Sequence, residues 1–499
     1  MKACFPVFVL LGAACTPDEG PVDRDSDPEV GPTTSSDTDE PTVPDTTDTD
    51  TRTGPLLGST QWGVGIAHDP AWVEQHGLPG NEEAFAIYTG VEGTFIAGTT
   101  QSSWYRDFLD PCEDEAHAVA RDCGDAVLFN ADTLVGIQIG DLASDEVRGM
   151  VVIDGEVTFG GRTRAPVSWT MGAYLHRYTA DLQTELFAVD LPHAEMLGLA
   201  MDRGQHFAVG GTLWDWEPPE VNFGDEDALA WKLDGAGNVV AVQQIGSLDF
   251  DELHDVQADE NGVYISGITQ GVLDDDAQGA EDGVLFILAH TLDEAEEICR
   301  IQLGTAGRDG AEGVAVHEQY VYIGGNTEGA INNQFEGGSQ CYHAGLDNLP
   351  DAYVAKYDRN CNQVWTRQFG SVLGDAVEAI AVDENYIYAT GYANAGVDHQ
   401  DQPRELTTDA FLRVYTLDGE LAGEVMFDGS LSPDDLRTDY ARAIAVDDVN
   451  VYIGGATDGV MGLTENAGGR DIFMATVPIS AATNNVVYDG DGCDDATAP

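Results

Sequence analysis

Basic residues are scarce in this 499-residue sequence, where 21 Lys plus Arg stand against 89 Asp plus Glu and give a formal net charge of −68. Lysine occurs only as Lys2, Lys232 and Lys356. Such an acidic surface repels phosphate backbones, which excludes nucleic acid as a partner. The acidity does not make the whole chain disordered, because 42% of its residues are hydrophobic and can form a large core.

The usual catalytic signatures are also missing. The sequence has no Cys-x-x-Cys, His-Glu-x-x-His, Gly-x-Ser-x-Gly or phosphate-binding loop, and its 11 histidines have no partner at ligand spacing. No segment sustains a 3.6-residue periodicity, so helix is a minor component. Beyond the first 15 residues, no segment is apolar enough to span a bilayer. We therefore predict a protein that is not an enzyme and has no cofactor.

The N-terminus resembles a bacterial lipoprotein signal. Lys2 precedes an apolar run over residues 5–14, which is too short to span a bilayer but typical of a signal peptide. Small residues then lead to Cys15, as in the lipobox whose Cys is lipidated and becomes the mature N-terminus. We predict a signal peptide over residues 1–14 and lipidation of Cys15. The alternative is ordinary secretion after cleavage near Ala14.

An acidic linker follows over residues 15–56. Residues 16–55 include twelve acidic residues, ten Thr and seven Pro, a composition that stays disordered and extended. The residue directly after Cys15 is Thr16 rather than Asp, which implies the outer membrane by resemblance to enteric lipoproteins. We expect a protein anchored at the bacterial cell surface through its lipid alone, with secretion as the alternative.

Seven repeats fill the rest of the chain, each with four short β-rich runs separated by Asp/Asn/Gly turns. In each unit a glycine closes the second run, at spacings of 63, 49, 57, 58, 66 and 64 residues. These marker glycines are Gly98, Gly161, Gly210, Gly267, Gly325, Gly391 and Gly455. Seven four-stranded units predict an all-β, seven-bladed β-propeller over residues 57–480, followed by an acidic tail over 481–499.

The repeat resembles the bacterial β-propeller family of SBBP repeats. Residues 363–371 (QVWTRQFGS) and 351–356 (DAYVAK) match its Trp-containing strand and its Asp-Ala-Phe-Val-x-Lys strand. The resemblance implies a propeller and a surface or secreted location, and it implies no shared reaction. For ring closure, residues 59–64 are expected to supply the fourth strand of the last blade, with 485–488 as the alternative.

Two polar positions recur at the base of the loop between the second and third strands. We expect Asp-to-Thr or Asp-to-backbone hydrogen bonds to fix this loop, which is a structural role. The Asp residues that open the third strand are Asp125, Asp227, Asp282, Asp351, Asp409 and Asp471. The Thr residues two positions after the marker glycine are Thr100, Thr163, Thr212, Thr269, Thr327 and Thr457.

Long loops on one face of the ring are the predicted binding region, because rigid scaffolds carry function on their loops. These loops span residues 101–124, 213–226, 328–350 and 394–408. Their aromatic residues, set among acidic ones, suit contact with a sugar or a peptide, although they could instead pin the loops to the blades. The candidate ligand-binding residues are Trp104, Tyr105, Trp214, Trp216, Phe223 and Tyr342.

Six cysteines remain after Cys4 in the signal peptide and Cys15 are set aside. Cys112 and Cys123 share one loop, and we predict a disulfide between them. Cys299 and Cys361 would both lie near the outer rim of adjacent blades, but Cys341 could also pair with Cys361, so this choice stays open. Acidic clusters such as 274–276 offer oxygen ligands but match no calcium loop, so we assign no metal site and keep calcium as an alternative.

The predicted function is therefore that of a monomeric binding scaffold for a protein or glycan. The alternative is a secreted propeller enzyme, a lyase or hydrolase acting on polysaccharide. An enzyme should bring buried titratable groups together at the axis, whereas a binder should expose an aromatic patch near the long loops.

Overall fold

The computed structural model describes much of the repeat region and none of residues 1–65. The described residues are 66–67, 69–105, 124–140, 144–164, 171–192, 194–212, 226–273, 279–292, 297–331, 349–370, 374–394, 408–429, 437–463 and 465–483. The predictions for the signal peptide, Cys15, the linker and the Cys112–Cys123 disulfide lie outside these residues, as do Trp214, Trp216, Phe223 and Tyr342.

The described chain is almost entirely β-structure, with one 3₁₀ turn at Pro70–Trp72 and a terminal helix α1 (Ile479–Ala482). Two strands precede the repeats: β1 (Ile66–Ala67) and β2 (Val73–His76). Blade 1 contains β3 (Glu82–Gly90), β4 (Gly93–Thr100), β5 (Asp125–Asn130) and β6 (Val135–Ile139). Blade 2 contains β7 (Ser144–Ile153), β8 (Glu156–Arg164), β9 (Met171–Thr179) and β10 (Glu185–Pro192). Blade 3 contains β11 (Ala194–Asp202), β12 (Gln205–Thr212), β13 (Ala228–Leu233) and β14 (Val239–Ile245). Blade 4 contains β15 (Asp251–Asp259), β16 (Gly262–Thr269), β17 (Asp282–Leu288) and β18 (Glu297–Leu303). Blade 5 contains β19 (Asp309–His317), β20 (Tyr320–Thr327), β21 (Asp351–Asp358) and β22 (Gln363–Phe369). Blade 6 contains β23 (Asp375–Val382), β24 (Tyr386–Ala393), β25 (Asp409–Thr416) and β26 (Leu421–Phe427). Blade 7 contains β27 (Asp439–Val446), β28 (Asn450–Thr457) and β29 (Asp471–Pro478).

These strands form seven sheets whose four blade strands pair antiparallel in sequence order from the axis outwards. The first strand of each blade contacts the first strands of the blades on either side, and β27 contacts β3, so the circle closes. Both faces of each blade are therefore buried against neighbours, which explains runs that are apolar throughout rather than alternating. The predicted all-β, seven-bladed propeller is confirmed.

Ring closure uses an N-terminal strand, although a different one from that predicted. Strand β2 pairs antiparallel with β29, with Val73 opposite Ala475, and so completes blade 7. The position assigned to residues 59–64 is thus taken by residues 73–76. Residues 59–64 and 485–488 both lie outside the described part of the chain. The two-residue β1 adds to the outer edge of blade 6, parallel to β26.

The innermost strands begin earlier than the Ile-Ala-Val runs indicate. In blade 6 the strand starts at Asp375, four residues before Ala379. A β-bulge interrupts each innermost strand within this added segment; in blade 6 the register shifts between Val377 and Ala379 and leaves Glu378 unpaired. A bulge turns its unpaired residue out of the hydrogen-bonded ladder. In every blade the side chain at this position therefore points in a different direction from those of the residues before and after it.

The bulge also explains the marker glycine. Gly210 lies opposite Met196, immediately before the bulge of blade 3. A Cβ atom on Gly210 would overlap the carbonyl oxygen of Glu195. Gly391 stands in the same relation to the carbonyl oxygen of Ala376 in blade 6. The repeated glycine is therefore required by close backbone approach.

One cysteine pairing left open by the sequence is visible in the described residues. Cys299 on β18 and Cys361 in the turn after β21 form a disulfide with a Cα–Cα distance of 6.0 Å, which links blades 4 and 5 at the outer rim. Among the described residues, no helix is both long and apolar enough to cross a membrane.

Candidate functional site

The seven bulge residues line a cavity on the ring axis. The cavity has a volume of about 330 Å³, and its wall also includes Arg162 from β8 and Glu252 and Asp255 from β15. Five of the seven bulge residues are ionisable. In blade order the bulge residues are Phe85, Arg148, Leu197, His254, Glu312, Glu378 and Arg442. A cavity with three arginines in its wall is unusual in a chain with only 21 basic residues.

A continuous chain of ion pairs runs along one half of this cavity. Glu146 accepts contacts from Arg148 at 2.6 Å and from Arg162 at 3.0 Å. Arg162 also reaches Glu195 in the next blade at 2.9 Å. Burial alone would raise the pKa of Glu146, but the two guanidinium groups lower it to about 2. Arg162 thus joins blades 2 and 3 through one planar, two-sided fork.

His254 continues the chain across blades 4 and 5. Its Nε2 lies 3.0 Å from Glu252, and its Nδ1 lies 2.6 Å from Glu312. Burial lowers the pKa of His254, but the two carboxylates outweigh burial and raise it well above the usual value. The two flanking carboxylates therefore favour the positively charged form of His254. The hydrogen bond and the charge of His254 outweigh the effect of burial on Glu252 and lower the pKa of Glu252 to about 2. Burial and the charge of Glu252 raise the pKa of Glu195.

The other half of the cavity is less fully paired. Phe85 has the Arg148 guanidinium 4.0 Å and the Arg442 guanidinium 5.2 Å from its ring centre, both within cation–π range. Arg442 contacts Glu83 at 3.5 Å. Burial raises the pKa of Glu378, and the negative charge of Glu312 adds to the rise. The positive charges of Arg442, His254 and Arg148 oppose it.

This arrangement offers a ligand both donors and acceptors in fixed positions. The guanidinium groups can donate to hydroxyl, carbonyl or anionic oxygens, and the carboxylates can accept from hydroxyl or amine groups. Glu378, whose pKa is raised, and Glu312 also place two carboxyl groups in the wall of the same cavity. Buried titratable groups do converge on the axis, as expected of an enzyme, but most of them are held in ion pairs with one another, which suits a fixed binding surface better than proton transfer.

The recurrent Asp residues have a different partner from the one predicted. Asp282 lies opposite Thr269 in the register, but its Oδ2 accepts a hydrogen bond from Nε2 of Gln302 on the fourth strand at 2.8 Å. The same Gln–Asp contact recurs in four other blades: Gln138–Asp125, Gln244–Asp227, Gln368–Asp351 and Gln75–Asp471. Each of Gln138, Gln302, Gln368 and Gln75 also holds the backbone at the start of the second-to-third loop. The Asp does fix the base of the loop, but it does so through this glutamine.

Three of the recurrent Thr residues bind the acid that opens the first strand, and a fourth, Thr212, does not. The hydroxyl of Thr100 donates to Glu82 at 3.1 Å, and Thr269 donates to Asp251 at 2.5 Å. Thr327 donates to Asp309 in the same way. Thr212 is the exception, since its hydroxyl accepts the backbone N–H of Asp227 at 2.8 Å. Two separate clamps, Thr–acid and Gln–Asp, thus replace the single Asp–Thr pair.

Trp104 and Tyr105 pack against blade 1. The Trp104 ring lies 5.3 Å from that of Phe129, and both backbone N–H groups bond to Oε1 of Gln138, at 2.9 and 3.2 Å. Both aromatic side chains are half-buried against the core of that blade. This packing favours the role of a loop anchor for the pair over that of an open ligand platform.

Blade 6 breaks the clamp pattern. Met426 takes the place of the glutamine, opposite Phe411, and Ala393 takes the place of the threonine. Asp409 instead shares a cluster with Asp428, just after β26, and Asp439, at the start of β27. Burial raises the pKa of Asp439 to about 8 against the effects of Thr457 and the Gly429 N–H, and the charges of Asp428 and Asp458 add to the rise. Burial and its two neighbours likewise raise the pKa of Asp409 well above the usual value.

Sequence reasoning missed the axial residues, the clamp glutamines and this cluster. The axial residues had a signal, because aligning the units on the marker glycine shows charged residues within otherwise apolar segments such as Val147-Arg148-Gly149 and Val377-Glu378-Ala379. The glutamines recur in the same way, each as the penultimate residue of the fourth strand. The acidic cluster had no such signal in the sequence, because its three residues come from two blades.

No protein-family model matches the chain, and no curated protein matches it. Among solved structures, the chain is similar to the Pan2 WD40 domain of Neurospora crassa, at 11% identity and a TM-score of 0.45, covering 82% of this chain and 97% of that one. The propeller domain of the trilobed protease from Pyrococcus furiosus gives 9% identity and a TM-score of 0.41, covering 82% and 99%. The endosialidase of phage phi92 gives 9% and 0.41, covering 87% and 72%. These similarities extend to the β-propeller fold and carry no information on what this chain binds.

Proposed function

We propose that this protein is a monomeric, non-enzymatic binding scaffold held at the bacterial cell surface by a lipid on Cys15. The observation that carries the proposal is the axial cavity, in which the ion pairs of Arg162 and His254 hold donors and acceptors in place before a ligand arrives. Preorganised polar groups of this kind lower the ordering cost of binding. A propeller fold is itself consistent with a binding scaffold.

The ligand class proposed is a protein or glycan that presents hydroxyl and charged groups. The second-to-third loops leave the blades at the face where the innermost strands begin, so a ligand seated on those loops can reach toward the axis. Trp214 and Trp216 remain candidate anchors in these loops, because large aromatic side chains commonly carry much of the energy at an interface.

Binding should depend on the axial arginine that is least tied to the network. We expect Arg442→Gln to weaken binding of any ligand found by a glycan and surface-protein screen by about tenfold or more, because one charge-assisted donor is lost. The screen uses the chain with Cys15→Ser, with and without calcium, and isothermal titration measures the affinity. Arg203→Gln is the matched control, since Arg203 is 62% exposed on another turn. Equal affinity of the two variants, with melting temperatures intact, would contradict an axial ligand.

Anchoring is tested separately. Cys15→Ser is expected to move the protein from the membrane fraction to the soluble fraction, because one lipidated residue carries the whole attachment. The measurement is fractionation of cells followed by immunodetection, with Cys4→Ser as the control. Sedimentation of the Cys15→Ser protein with membranes would refute the lipoprotein proposal.

A second candidate function rests on the pair Glu312 and Glu378. Two carboxyl groups in one cavity, one of them with a raised pKa, are the kind of pair that general acid–base chemistry on polysaccharides uses. Under this alternative, Glu378→Gln abolishes turnover of a polysaccharide while melting remains unchanged. A panel of neutral and acidic polysaccharides, assayed for new reducing or unsaturated ends, distinguishes a lyase or hydrolase from a binder.

A further inference from the structure

The acidic cluster of blades 6 and 7 stands where the other blades place a neutral clamp. In five blades a glutamine amide binds the Asp that opens or precedes the third strand; in blade 6 that position is Met426, which cannot donate. Asp409 accepts no side-chain hydrogen bond from any described residue, and its neighbours are two further carboxylates. Blade 6 therefore has two further carboxylates near this Asp where five other blades supply an amide donor.

The three carboxylates meet closely. One oxygen from each of Asp409, Asp428 and Asp439 can be chosen so that all three lie within 4.8 Å of one another. Asp409 and Asp428 belong to blade 6, and Asp439 opens the innermost strand of blade 7. Among the described basic residues, none forms a salt bridge with Asp409 or Asp439. Asp409 and Asp439 therefore have no directly paired cation among the described residues.

Asp439 provides a second observation that is independent of the clustering. Its side chain is fully buried, at 0% exposure. Its Oδ2 accepts the backbone N–H of Gly429 at 2.8 Å. The Thr457 hydroxyl is close enough to lower the pKa of Asp439, but Oδ1 has no hydrogen bond of acceptable geometry to any described residue. The hydroxyl of Thr408, which precedes Asp409, is also buried without a partner there. Buried oxygens without donors are costly unless a ligand binds them.

We propose that Asp409, Asp428 and Asp439 bind a hard divalent cation of the calcium class, which joins blade 6 to blade 7. Calcium takes six to eight oxygen ligands at about 2.3–2.6 Å, a range that fits carboxylates spaced up to 4.8 Å apart. Magnesium binds at about 2.0–2.1 Å and requires a stricter octahedron. Asp428 is exposed, so water can complete the coordination on that side. This inference does not depend on the proposed binding function.

The test compares calcium with magnesium on the full chain carrying Cys15→Ser, in buffer of physiological salt. Calcium at about 100 times its dissociation constant is expected to raise the melting temperature by about 3 °C for a ring of this size. Magnesium at the same concentration should raise it much less. Because a chain of net charge −68 binds cations diffusely, the site must be identified by variants.

Asp428→Asn is the decisive variant, with Asp418→Asn as its control. Both replace an exposed Asp of blade 6 by its isostere, but Asp418 lies in the turn at the opposite end of the strands. Asp428→Asn should lose one bound calcium per chain by equilibrium dialysis and lose the calcium-dependent shift in melting temperature. Asp418→Asn should keep the shift. A wild-type protein without a calcium response, or an Asp428→Asn protein that retains it, would overturn the proposal.

Discussion

Replacing Arg162 by methionine is expected to lower the free energy of unfolding by about 3–5 kcal/mol, the range for breaking a buried ion pair from one side. Arg162 is the shared cation of Glu146 and Glu195, with only 14% of its side chain exposed. Without it Glu146 retains Arg148, but Glu195 loses the guanidinium that opposes the charge of Glu252. Chemical denaturation at pH 8 measures the effect.

The loss should depend on pH in a stated direction. The pKa of Glu195 is already raised by burial and Glu252, and Arg162 opposes that rise. Removing Arg162 raises this folded-state pKa further above its unfolded value. A carboxyl group whose pKa is raised on folding destabilises the protein as pH rises through that pKa. The destabilisation by Arg162→Met should therefore be smaller at pH 5 than at pH 8.

Two further variants separate the charge from its geometry and its location. Arg162→Lys keeps one positive charge but cannot donate to both carboxylates in the same fork, so an intermediate loss is expected. Arg203→Met removes an exposed arginine whose nearest carboxylate is 3.6 Å away, and it should cost less than about 1 kcal/mol. If Arg162→Met costs no more than Arg203→Met, the axial ion pairs do not hold the blades together.

Gly210→Ala is expected to destabilise the ring by about 3 kcal/mol or more, whereas Gly211→Ala next to it should change stability by less than about 1 kcal/mol. A Cβ atom on Gly210 would overlap the backbone carbonyl of Glu195, which the bulge brings close. The nearest atom to a Cβ on Gly211 is Cγ of Glu252, at 3.7 Å. The backbone must shift in the first case and nothing need move in the second.

Denaturant midpoints of the two alanine variants test this difference directly. The pair is well matched, because both glycines lie on β12 and both changes add one methyl group. Equal stability of the two variants would mean that the marker glycine repeats for a reason other than close approach to the bulge. A larger loss for Gly211→Ala would reverse the structural interpretation.

Local patterning made the architecture predictable. The marker glycines and four β-rich runs per unit predicted seven four-stranded blades, and each marker glycine does lie on the second strand of its blade. Closure by an N-terminal strand was also expected, but the pattern favoured residues 59–64 over 73–76. A single strand without a repeat around it carries too little signal to fix its register.

Trp104 shows what local reasoning leaves open. Its position in a long acidic loop allowed either ligand contact or a role in pinning the loop, and its ring packs on Phe129 while its backbone is held by Gln138 on a distant strand. Exposure of a loop aromatic depends on how the loop folds back, which composition does not report. The recurrent Asp residues show the same limit, since their glutamine partners lie 13 to 20 residues further along the chain in four blades and come from the N-terminal strand in blade 7.

The sequence by itself determined the blade number, the strand order and the positions of the recurrent Gly, Asp and Thr residues, because these follow from short-range periodicity repeated seven times. Tertiary structure decided which charged residues meet. Arg148, His254, Glu312, Glu378 and Arg442 come from five blades and share one cavity because each blade turns its bulge residue to the axis. Asp409, Asp428 and Asp439 meet only where two blades pack. Contacts between residues far apart in the chain depend on ring closure and bulge geometry, and no single repeat encodes either.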